Sequence, residues 1–150
     1  MFHLLNLRKR IFLNYKLSSE IWEVHNFKVL NDSYGHVFGD EVLKVVAHKL
    51  GENLRNIDLV GRWGGEEFIF IFPDTRAHLP QEIVDRIRKN IANTSFTPSS
   101  TSAKVNVTVS FGVSSSNITD VTLEEIILNA DKALYNAKAN GRNKVVVHLG

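Results

Sequence analysis

Gly64-Gly65-Glu66-Glu67-Phe68 places two carboxylates directly behind two glycines. Glycine accepts positive φ and leaves its backbone open, so a bulky ligand can approach acids that stand at such a turn. Paired carboxylates are hard oxygen donors that hold divalent cations while leaving positions for phosphate oxygens. A solvated acidic pair in a hairpin is the plainer reading of the same five residues. Lys138 and Arg142 lie four apart around an expected helix end. They can share a face and reach an anionic ligand, or simply be surface charge favoured by the helix dipole. Arg55 and Asp58 form an R-x-x-D, a pattern that on its own usually means a surface ion pair.

The elements that must position these groups follow from periodicity. At 150 residues the chain has the size of one domain with a single sizeable core. An apolar share of 43% and a charged share of 23% sit close to globular averages, with nothing pointing to a disordered or repetitive chain. The formal charge of +2 is too small and too dispersed for a nucleic-acid partner, but it suits an anionic small molecule. Having no cysteine removes disulfides, thiol nucleophiles and Cys-type zinc sites, which sits well with a reducing compartment, so a cytoplasmic location is expected. Arg8, Lys9 and Arg10 interrupt the apolar start at Met1 to Leu7, so no membrane span is expected.

Leu4 to Tyr15 reads as a short helix, Ile21 to Phe27 as a strand, and Phe27 to Ser33 as a helix ending at Tyr34-Gly35. Asp40 is expected to open a helix whose stripe is Val42, Leu43, Val46, Leu50 and Leu54. Val60 to Trp63 and Phe68 to Phe72 flank the glycines as a hairpin. The second of these is apolar on both faces, as in a central strand covered by helices. Pro80 suits the first helical position, with Ile83, Ile87 and Ile91 as one stripe of that helix. Val105 to Val113 alternates as one half-buried strand. Thr122 and Glu125 form a capping box for a helix that buries Leu123, Ile126, Ile127, Ala130, Leu134 and Ala137 and ends at Gly141. Lys144 to Val147 closes as a strand. The fold class is therefore α/β (α+β), a mixed central sheet flanked by helices with one internal hairpin.

Three separated motifs resemble the GGDEF family, whose members are diguanylate cyclase catalytic domains. Phe27 to Asp40 resembles its F-K-x-x-N-D-x-x-G-H-x-x-G-D segment. Arg62 to Phe68 is similar to the signature in its Glu-Glu form, and Ala130 to Asn143 to the closing A-D-x-A-L-Y-x-A-K-x-x-G-R-N run. The resemblance covers roughly Glu23 to Val147. It implies a cyclase-like βαββαβ core, condensation of two GTP to cyclic di-GMP with release of pyrophosphate, and Mg2+ (or Mn2+) as cofactor. One domain would hold one GTP, so turnover implies a homodimer. A regulatory or sensory domain or partner outside this chain is also implied.

On that resemblance Glu66 and Glu67 are the catalytic carboxylates, and Glu66, Glu23 and the Val24 carbonyl hold the metal. Asn31 and Asp40 occupy positions that read guanine. An Asp accepts from guanine N1 and N2, and an Asn amide can meet the N3 or N2 edge, while Asp40 can equally cap its helix. Lys138 and Arg142 would contact the phosphates, together with backbone amides around Asn26, Phe27 and Lys28 at a helix entry. Arg55 and Asp58, separated from Gly64 by Leu59 to Trp63, match the family's product-inhibition site.

The departures lie just before Phe27. The family places D-x-D there, where this chain has Glu23-Val24-His25. The longer Glu23 and the loss of an acid at His25 are expected to reduce activity. Leu4 to Phe12 resembles the family's opening L-T-G-L-x-N-R-R-x-F, yet too few residues separate it from Glu23 for the usual first helix and full first strand. Residues 1–20 are accordingly expected to be an N-terminal helix or the remnant of a longer region, and 21–150 the catalytic domain. The alternative is a catalytically degenerate domain acting as a receptor for GTP or cyclic di-GMP. His36 is expected to support its turn, and His3, His48, His78 and His148 show no ligand spacing.

Overall fold

The computed structural model describes residues 17–64, 67–73, 79–116 and 121–148, without the side chains of 17–23, Arg62, Leu79 and Ser116. The expected helix over Leu4 to Tyr15, together with His3, Gly65, Glu66 and His78, lies outside these residues.

A five-stranded sheet has the order β2-β3-β1-β6-β7, formed by β1 (Leu17–Val24), β2 (Leu59–Gly64), β3 (Glu67–Pro73), β6 (Val109–Ser116) and β7 (Val145–His148). The central β1 runs antiparallel to both β3 and β6, and β7 runs parallel to β6. Among the described residues four helices join them: α1 (Phe27–Tyr34), α2 (His36–Gly51), α3 (Leu79–Ala92) and α4 (Leu123–Ala139). Short strands β4 (Ser95–Phe96) and β5 (Val105–Asn106) pair separately. The chain thus passes through β1, α1 and α2, β2, β3, α3 and β6, which is the βαββαβ order, and then adds α4 and β7.

Alternation along the strands divides the core in two. Phe70, Phe72, Phe111 and Val113 pack with residues of α1, α2 and α3, including Leu30, Val42, Val46, Val84 and Ile87. Ile69 packs on the other face with Ala130 and Leu134 of α4. β3 is therefore covered on both sides, as its unbroken apolar run requires. The α4 layer is held close by Gly112. A Cβ there would stand 2.1 Å from the Ala130 carbonyl oxygen and 2.2 Å from the Leu134 nitrogen, both backbone atoms.

Several boundaries differ from the sequence expectation for local reasons. β1 begins at Leu17, ends at Val24, and is a full eight residues long, which corrects the expected Ile21–Phe27 strand and the shortage of chain inferred for it. α2 begins at His36 rather than Asp40, because Gly35 at φ +86° both closes α1 and caps α2. Asp40 sits in the body of the helix and caps nothing, and Leu54 lies beyond the helix end at Gly51, packed partly against the core. The expected strand from Val105 to Val113 is two strands. The Thr108 carbonyl turns to accept from the His25 amide at 2.9 Å, and Val105 and Asn106 pair with β4 instead.

The capping box of α4 is complete, with Thr122 Oγ1 accepting from the Glu125 amide and the Glu125 carboxylate accepting from the Thr122 amide. Gly141 at φ +101° ends the helix, and the Arg142 amide donates back to the Ala137 carbonyl at 3.0 Å, a Schellman closure. Replacing Gly112 with Ala should destabilise the fold by about 2 kcal/mol or more, since backbone cannot yield as a side chain can. A thermal melt unchanged from the parent would contradict the close approach of α4.

Candidate functional site

The register of β1 sets the site. Glu23 lies opposite Glu67 on β3 and opposite Ser110 on β6. Two residues on, the chain leaves the sheet through His25 and Asn26, whose left-handed backbone (φ 57°, ψ 26°) starts α1. That first turn has no side-chain cap. The amides of Phe27 and Lys28 therefore enter an uncapped helix start beside the Glu23–Glu67 row, where a helix end favours an anion.

α4 delivers the cations to the same end of the sheet. Lys138 Nζ is 3.8 Å from Glu67 Oε1, and both Lys138 and Arg142 lie close enough to His25 to act on its charge. Arg142 and Asn143 adopt positive φ values of 61° and 44°, a conformation that costs energy in non-glycine residues and must be held from outside. Arg88 of α3 does this, donating through Nη1 to the Asn143 carbonyl at 3.1 Å and to Asn143 Oδ1 at 2.9 Å, while its Nε donates to Asp85 at 2.8 Å.

His25 is buried, and its Nε2 shares a 2.7 Å hydrogen bond with Ser110 Oγ. Burial above all, then the positive charges of Arg142 and Lys138, lower its pKa from 6.5 to about 4. At neutral pH it is an uncharged imidazole fixing the β1–α1 corner to β6. Nothing in the residue type alone pointed to that role, and Ser110 and Arg88 carried no sequence signal either.

Asn31 is partly buried on α1, and its Oδ1 is buried without a hydrogen-bond partner. Asp40 is exposed on α2. Arg55 and Asp58 stand apart, at the opposite end of β2 and roughly 20 Å from the Glu67 end at 3.3 Å per residue. The Asp58 carboxylate takes the Arg55 amide at 2.7 Å, Nε at 3.0 Å and Nη2 at 2.7 Å, and Arg55 Nη2 also donates to the Pro73 carbonyl at 3.0 Å. The Asp58 side chain is 1% exposed and that of Arg55 46%, so the guanidinium is the part of the pair that faces solvent. His36 is the exposed first residue of α2, and His48 pairs with Glu52 at 3.3 Å. Among the described residues no three His, Asp or Glu side chains converge as a ready metal cluster. The donors the sequence offers to a cation are carboxylates and a carbonyl, which suit magnesium or manganese. Strand pairing sets Glu23 opposite Glu67 in the backbone register, and the chemistry of two carboxylates fits such an ion.

The family model for the diguanylate cyclase GGDEF domain matches residues 10–144. The chain belongs to this family. It is 42% identical over 131 residues to diguanylate cyclase A of Treponema denticola, covering 87% of this chain and 35% of that protein. Among solved structures it resembles the GGDEF domain of DgcB from Caulobacter crescentus in complex with c-di-GMP, with a TM-score of 0.87, 28% identity, and 95% and 83% of the two chains covered. It also resembles the active GGEEF domain of a diguanylate cyclase from Vibrio cholerae, with a TM-score of 0.85, 31% identity, and 97% and 91% covered. The chain spans about a third of the length of the curated relatives it matches. Among the described residues no helix of this GGDEF domain is long and apolar enough to cross a membrane.

Because the His25 pKa is depressed, the unfolded chain takes up a proton between pH 6.5 and 4 that the folded chain refuses. Stability due to His25 is therefore present above pH 6.5 and lost as pH falls toward 4. Melts over this range should show a decline that is shallower in His25→Gln. Parallel declines would contradict the buried neutral imidazole.

Proposed function

We propose that this GGDEF domain is a diguanylate cyclase, condensing two GTP to cyclic di-GMP with release of pyrophosphate. The observation that carries the reading is the meeting of the Glu23–Glu67 row, the uncapped start of α1 and the Lys138–Arg142 end of α4. A triphosphate needs this combination of acids for a cation and donors for its oxygens.

In this reading Asn31 and Asp40 hold the guanine, and the amides of Phe27 and Lys28 with the side chains of Lys138 and Arg142 bind the phosphates. Glu66, Glu67, Glu23 and the Val24 carbonyl would hold the metal ion. A divalent cation there would neutralise the charge that develops as a ribose 3′-hydroxyl meets the α-phosphorus. Glu66 also takes the proton of that hydroxyl. One chain supplies one nucleotide, so two copies face each other about a two-fold axis. Incubation with GTP and magnesium should give cyclic di-GMP by mass spectrometry, and Glu66→Ala should reduce it at least a hundredfold, the scale of losing a general base.

A receptor reading draws on His25, which offers a neutral ring bonded to Ser110 in place of a carboxylate. Absence of product at high protein concentration, with measurable cyclic di-GMP binding, would favour it over the enzyme.

Arg55 and Asp58 are a cyclic di-GMP site in both readings, and the product-inhibition site in the enzyme, with Arg55 making the contact and Asp58 anchoring it. Arg55→Ala should weaken inhibition by cyclic di-GMP about tenfold or more, the worth of a charge-assisted bond, and leave the initial rate intact. Unchanged inhibition would remove this assignment.

A further inference from the structure

The expected reading of Asn31 left two guanine edges open, and Gly39 distinguishes between them. α1 and α2 fold back on each other at Gly35, whose amide donates to the Asn31 carbonyl at 2.8 Å and whose carbonyl accepts from the Gly39 amide at 3.2 Å. This brings the Asn31 side chain against Gly39, a buried residue. A Cβ on Gly39 would lie 1.8 Å from Asn31 Oδ1 and 2.9 Å from its Cγ, with Phe27 Cζ next at 3.1 Å. Asn31 Oδ1 is at the same time the buried polar atom without a hydrogen-bond partner. The Gly39 methylene offers C–H hydrogens, which suit an oxygen and would repel an amide N–H. The slot therefore takes the carbonyl side of the carboxamide and turns its donor side away.

We propose that Gly39 is a specificity-determining positioning residue. By lacking a side chain it seats the Asn31 carboxamide oxygen-inward, so the pocket presents N–H donors and reads a hydrogen-bond acceptor, guanine N3, rather than the N2 amino group. This rests on the guanine-binding role given to Asn31 above. It divides the labour with Asp40, which as an acceptor takes the N1 and N2 donors. A side chain at residue 39 would displace the amide, and the base would lose its N3 contact while Asp40 remained in place.

The test pairs two measurements on the parent, Gly39→Ala, Asn31→Ala and the double variant. The first is binding of α,β-methylene GTP and its 3-deaza counterpart with magnesium, since neither can release pyrophosphate. The parent should prefer the N3-bearing analogue by about tenfold or more, the worth of one good hydrogen bond, and each single variant should bind the two within about twofold. The second is the melting temperature. Gly39→Ala should lower it by several degrees alone and by much less in the Asn31→Ala background, because the two atoms nearest the new methyl belong to Asn31.

Additive melting losses would overturn the slot. Retained discrimination in Gly39→Ala, or none in the parent, would overturn the N3 reading while leaving nucleotide binding standing. Failure of the parent to bind the N3-bearing analogue would overturn both this inference and the proposed enzyme.

Discussion

Antiparallel pairing of β1 with β3 and β6 at once is the constraint on which the site depends. It fixes Glu23 across from Glu67 on one side and Ser110 on the other. A slip of one residue would reverse the faces of the strand, taking Val24 out of the core it fills and Glu23 out of its row. The same register leaves His25 one hydrogen bond from Thr108 and another from Ser110, so the strand end is clamped to β6 as the chain turns into α1. The acids, the helix start and the end of α4 then meet although they come from segments far apart in the sequence.

The approach of α4 is the second condition. Gly112 lets the helix backbone lie directly on the sheet, and the Schellman closure with Arg88 behind it fixes where Arg142 stands. A residue on an unrestrained helix end would lose backbone freedom on meeting an anion. Here the strained backbone at Arg142 and Asn143 is already held by packing and hydrogen bonds.

Much of this was legible in sequence because it is local. The capping box at Thr122, the hairpin about the glycines, and the stripes of α3 and α4 each follow from spacing within one element. What was not legible depends on a distant partner. Val105 to Val113 alternates like one strand, but the backbone needs of His25 and β4 divide it. Asp40 looks like a cap only until Gly35 is seen to end one helix and begin the next. The resemblance placed Asn31, Asp40, Lys138 and Arg142 in one site. Ser110, Arg88 and Gly39 emerged only when the fold put their neighbours beside them.

The substitutions at Glu23 and His25 have different consequences. His25 exchanges an acid for a neutral anchor, which leaves Lys138 and Arg142 with less negative charge nearby and more of their field for a phosphate. Glu23 keeps a carboxylate in the row, and the cyclase reading depends on its holding metal with Glu66 and Glu67. Electron paramagnetic resonance titration of Mn2+ in the presence of α,β-methylene GTP addresses this directly. Glu23→Gln should weaken Mn2+ binding about tenfold or more, the worth of a hydrogen-bonded charge contact, and an unchanged Mn2+ affinity would contradict the account.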